Sequence, residues 1–120
     1  MAVTKTTVAN PLASTIILDS AANATSEDGA LGQAGLFYLI EIDNTLNTHV
    51  TYVKMAKDAS VTVGTSAPHW IFPAPASVKI SYVIGAGLYT TNLSFWAVQE
   101  AAASGTTEPD NPVIVEILAT

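Results

Sequence analysis

Cysteine and arginine are both missing from the 120 residues. Without cysteine there is no disulfide framework and no thiolate metal site, so packing and hydrogen bonds must hold the chain together. Four lysines stand against ten acidic residues, for a net charge of −6. That leaves little to neutralise phosphates and no arginine to read guanine edges, which makes nucleic acid a poor partner. An anionic membrane surface is equally poor. Long apolar runs are missing too. None approaches the ~20 residues that a membrane helix needs, and the N-terminal stretch lacks the apolar core of a signal peptide. The expectation is a chain that is soluble, or handed directly to an assembly in the cytoplasm.

Charge of either sign is scarce. Charged residues make up 12% of the chain, against about 25% in a typical globular domain. The hydrophobic fraction is 49% and the mean hydropathy is +0.38. The length suits one domain, 1–120, with a high ratio of surface to volume. Much weakly polar material must therefore lie outside, and exposed apolar area on that scale marks a contact surface. The composition implies a subunit that buries part of its exterior against copies of itself or a larger assembly.

What the chain does have is apolar alternation with period two. In residues 77–84, Val78, Ile80, Tyr82 and Ile84 fall on one side, and Ser77, Lys79 and Ser81 on the other, as in a half-buried strand. Residues 113–119 place Val113, Val115 and Ile117 inward. Residues 35–43 are apolar on both sides until Glu41, which suits a strand covered on both faces. Residues 14–19, 49–57 and 93–99 complete the clear set, with weaker strands expected at 3–8, 61–63 and 70–72. Asp43, Asn44 and Asn47 carry turn chemistry, and the Gly85-Ala86-Gly87 stretch lets the strand ending at Ile84 bend. Residues 21–34 read as a loop, with a short helix over 26–31 as the alternative. Many short strands and no helical period predict an all-β, single-domain antiparallel β-sandwich, jelly-roll-like or barrel-like.

Chemistry-bearing residues are few. His49 and His69 are the only histidines, and no spacing supplies the third ligand of a zinc site. No serine sits in a G-x-S-x-G frame. The Glu27-Asp28-Gly29 stretch lacks the alternating ligands and final glutamate of a calcium loop. No catalytic residue, metal or cofactor is expected. The aromatic residues Trp70, Phe72, Tyr89 and Trp96 are expected in the core or at a subunit interface and are the candidate interface residues, since such rings are enriched where proteins meet. An exposed set could instead form a sugar-stacking platform.

Residues 49–98 also carry a layout that resembles small tailed-phage virion proteins. In that pattern a strand with a Tyr-Val-Lys core leads into a Val-Gly-Thr-x-x-Pro turn. A Pro-x-Pro hinge, a further strand and a Gly-x-x-hydrophobic-x-Thr-x-Leu-Ser element follow. Here these positions are Tyr52, Val53 and Lys54; Val63, Gly64, Thr65 and Pro68; Pro73 and Pro75; and the stretch from Gly87 to Ser94. Trp70 departs from the pattern, standing where a smaller residue is expected. The resemblance implies a scaffold and transfers no functional residue. It points to a capsid decoration (cement) subunit in the virion, with the major capsid protein as partner, and to a homo-oligomer, a dimer or trimer. Residues 1–12 would serve as an extended N-terminal arm laid along a neighbour. A neck, tail or baseplate component, or an adhesin module binding carbohydrate through its tryptophans, is the alternative.

Overall fold

The computed structural model describes residues 3–7 and 14–120. Its strands, in chain order, are β1 (Val3–Thr7), β2 (Thr15–Ala22), β3 (Gly35–Asp43), β4 (Thr51–Ala56), β5 (Trp70–Ala74), β6 (Lys79–Thr90), β7 (Ser94–Val98) and β8 (Val113–Ala119). They build a large sheet, β1-β2-β8-β3-β6, and a small one, β5-β4-β7, with every neighbouring pair antiparallel. This is the expected all-β sandwich.

The connectivity is nested. β2 pairs with β8, β3 with β6, and β4 with β5. Residues 23–31 complete the series along β7, through backbone bonds between Glu27 and Phe95 in both directions, from Ala30 N–H to the Leu93 carbonyl and from Ala97 N–H to the Asn23 carbonyl. Successive pairs alternate between the sheets, as in a long hairpin rolled up, which is the jelly-roll solution to the problem of open edges. The helix considered over 26–31 does not form, because its backbone groups are taken by the edge of β7.

Alternation selects the core. Ile17, Val115, Ile117, Ile40 and Ile42 of the large sheet meet Val53, Met55, Phe72, Phe95 and Ala97 of the small one, all buried. On β6, Ile80, Tyr82 and Ile84 face this core. Bulges break the pattern where the sequence is ambiguous. Around Tyr38 the β3–β6 register jumps from Phe37↔Leu88 to Leu39↔Val83. Phe37 and Ile40 therefore both point inward although three positions apart. β6 runs on through Gly85, Ala86 and Gly87 instead of ending at Ile84.

Three further expectations change. Residues 61–63 form no strand but lead into a turn at 63–65: Val61 N–H bonds to the Asp28 carboxylate, and the Thr62 carbonyl accepts from Thr65 and Ser66 N–H. β3 is not sealed on both faces: its outward residues Leu39 and Glu41 stay half-buried. Of the proposed arm, Val3–Thr7 pairs as an edge strand on β2 of its own chain; residues 1–2 and 8–12 lie outside the described residues.

Candidate interaction surface

The outer faces of the two sheets are finished differently. On the small sheet, loops close the face. Ala56, Trp96 and Val98 are fully buried there, with Ala24, Val61 and Val63 packed against them. Lys54 shares this face and is also fully buried. Its Nζ donates to the Ala102 carbonyl. Burial pulls its pKa below the ordinary lysine value, and the Glu100 carboxylate partly opposes that pull. Glu100 is itself held below the usual carboxylate range by hydrogen bonds from Thr107, which organise the loop above.

Among the described residues, the outer face of the large sheet has no such cover. Register places Ile16, Leu118, Leu39 and Val83 side by side across β2, β8, β3 and β6. Val83 is 74% exposed and the other three are half-buried. The next row runs Leu18, Glu116, Glu41 and Ser81, so two carboxylates stand on neighbouring strands. Glu41 is bridged by Lys79 at 3.2 Å and accepts from the Ser81 hydroxyl. The third row holds Ile114, Asp43 and Lys79. Here the Thr45 hydroxyl and N–H lower the pKa of Asp43. An apolar strip is thus bordered by an acidic one on a single pleated surface.

The aromatic candidates separate. Tyr89 is 57% exposed and, paired with Leu36, lies on the outward side of the large sheet. Trp70 is half-buried, edge-on to Phe37 at 5.1 Å between centroids, with the Lys57 ammonium 5.5 Å from its ring. Phe72 packs in the core against Tyr82. Trp96 lies fully buried beneath loops. Phe72 and Trp96 thus lie inside the chain, and Trp96 has no exposed ring face to pair with Trp70 in a platform. The histidines lie apart in the chain's turns and loops. His69 Nδ1 accepts from Lys57 N–H, and His49 Nδ1 sits 3.6 Å from Asp110. Glu27 and Asp28 stay separate in role: burial raises the Glu27 pKa, while Asp28 accepts from Val61 N–H. Among the described residues no group of three or more His, Asp or Glu side chains could hold a metal ion.

No known protein family, curated protein or solved structure matches this chain.

The residues of the outward strip were not singled out by sequence reasoning, although a signal exists. Ile16, Leu18, Leu39 and Leu118 are apolar at the out-facing phase of strands whose in-facing phase is already apolar. Alternation alone cannot say that two such strands will sit side by side with their outer rows in register.

Below the sheets, a polar hub fixes the end of the sandwich where β3 turns into β4. The fully buried Asn44 donates through Nδ2 to the carbonyls of His49, Ala74 and Pro75 at 3.0–3.1 Å. Its Oδ1 accepts from Thr51 and Asn47. Asn47 in turn bonds the backbone of Asn111 through both side-chain atoms. Ser77, held at a φ of +62°, donates its N–H and hydroxyl to the Asn47 carbonyl. The turn chemistry expected of Asn44 and Asn47 is therefore turned inward, tying three connections together.

Proposed function

We propose that the chain is a non-enzymatic structural subunit of a tailed-phage virion, a capsid decoration protein that stabilises the shell. It would do so by burying the outward face of its large sheet against neighbouring capsid subunits. The observation that carries this reading is the apolar row Ile16, Leu118, Leu39 and Val83, left at the surface by a fold that seals its other outer face. Contiguous apolar area of this kind marks a site of association. Two weaker supports agree with it: the strand and turn layout of residues 49–98, and the jelly-roll connectivity, an architecture used in viral capsid and lectin domains. The fold is an analogy only, since one fold hosts many functions.

Cryo-electron microscopy and protein quantification of purified particles test the proposal. The expected result is near-stoichiometric density on the shell, with the large sheet facing capsid subunits. Absence of the protein from particles overturns it.

A further inference from the structure

We infer that the partner of the outward face is a different protein that presents an apolar ridge flanked by lysine or arginine, and not a second copy of this chain. The inference rests on the assembly reading above and adds the chemistry of the partner. The face has two halves. Ile16, Leu118, Leu39 and Val83 form the apolar strip, while Glu41 and Glu116 stand side by side in the adjoining row. A surface docked on the strip covers the carboxylates as well, and a covered carboxylate needs a cation or hydrogen-bond donors.

Glu41 has Lys79 and the Ser81 hydroxyl, but the chain has no further cation to offer Glu116. Each of its four lysines is already engaged. Lys5 Nζ donates to the Leu31 carbonyl at 2.7 Å. Lys54 is buried beneath the loop holding Ala102. Lys57 sits over the Trp70 ring. Lys79, the one lysine among these outward rows, bridges Glu41. There is no arginine. Two copies stacked face to face would set acidic rows into one interface and raise the like-charge density, whereas a basic-rimmed partner removes it. Like-charge juxtaposition suppresses wrong partners and opposite charge selects right ones.

The test uses the full chain and two synthetic β-hairpin peptides, one of alternating valine and lysine, the other of alternating valine and glutamate. Binding is read by NMR shift mapping and fluorescence anisotropy. The valine–lysine hairpin is expected to bind and to shift the signals of Ile16, Leu39 and Leu118. Affinity should fall about tenfold in Glu41→Gln/Glu116→Gln, and also fall as salt screens the charges. A control pair with the same change in net charge, Asp58→Asn/Glu108→Gln on exposed positions elsewhere, should bind like the parent. Equal binding of the valine–glutamate hairpin overturns the inference. So does an equal loss in the control pair, unaltered binding in the glutamine pair, or sedimentation showing a dimer that Val83→Asp dissociates. Particle imaging separates this from the wider reading. A subunit bound to the shell through another face defeats the partner chemistry alone, and a subunit absent from particles defeats the virion role itself.

Discussion

At the scale of single residues, polar groups that the fold has taken out of water behave in opposite ways according to how well they are paired. Asn44 satisfies both ends of its amide inside the sandwich, and its neighbours depend on it in turn. Asn44→Ala would leave three carbonyls and two donors without their partner. Unmade buried hydrogen bonds cost about 1–3 kcal/mol each before relaxation, so a loss of about 3 kcal/mol is expected in urea denaturation. Asn44→Asp keeps the shape but aims a carboxylate at carbonyl oxygens. It should be at least as damaging at neutral pH and should recover on acidification, when the carboxyl can donate. Lys54 is the opposite case. Its ammonium is buried with one carbonyl partner and no carboxylate within ion-pair distance among the described residues. Replacing a buried charge by an apolar residue of similar volume is often neutral or stabilising. Lys54→Met is therefore expected to gain about 1 kcal/mol, since Ala102 is exposed and its carbonyl can turn to water. The pH signature follows from linkage. Lys54 is a base whose folded pKa lies below its ordinary 10.5, so in that window the unfolded chain binds more protons. Stability of the parent should rise with pH there, and the rise should vanish in Lys54→Met.

Elements show why some of the fold was readable and some was not. Where one face is buried and no bulge intervenes, as in β8 with Val113, Val115 and Ile117 inward, period two names the core directly. β3 defeated that rule because the bulge at Tyr38 moves the phase, and because its outer row is apolar for a reason outside the strand itself. Alternation ends β6 at Ile84 because Gly85 and Gly87 look alike in sequence, whereas the strand runs to Thr90. The structure assigns them different roles. Gly87 has a φ of +76°, and a Cβ there would lie 2.9 Å from Tyr38 Cε1 and 3.2 Å from Leu36 Cβ. Gly85 has no positive φ and faces open space. Gly87→Ala should cost about 1–3 kcal/mol from strain at a left-handed position plus crowding. Gly85→Ala should change stability by about 0.5 kcal/mol or less. Paired thermal melts check this, and equal effects at both sites would show that the bulge, not the left-handed turn, governs β6. The interface aromatics were legible only as rings. Their separation into Tyr89 outside and Trp96 beneath loops depends on where residues 57–69 and 99–112 cross the small sheet, and no local pattern states that.

For the whole molecule, the telling asymmetry among the described residues is between a sealed outer face and an open one, and it makes stability and association separable. Trp96 packs among Ala56, Val98, Val61 and Val63 with no exposure, so loops and sheet depend on its volume. Truncation of a buried tryptophan to alanine removes transfer energy and leaves a cavity, at a cost of about 3–5 kcal/mol. Its Nε1 has no hydrogen-bond partner among the described residues, so Trp96→Phe removes an unmet donor together with some volume and should cost much less than Trp96→Ala. Val83 and Ile114, on the open face, are 74% and 42% exposed in the isolated chain. Val83→Thr keeps the β-branched shape of an edge strand and buries nothing new, so its stability should stay within about 0.5 kcal/mol of the parent. If the open face exists to be covered, the order reverses in the assembled state. Val83→Thr and Ile114→Thr should then weaken retention on particles while leaving the free chain's melting curve in place. Trp96→Phe, folded and with the same open face, should be retained like the parent. Measuring melting and particle occupancy on the same set of variants decides the matter. Occupancy that follows melting temperature alone would mean that the open face takes no part in assembly.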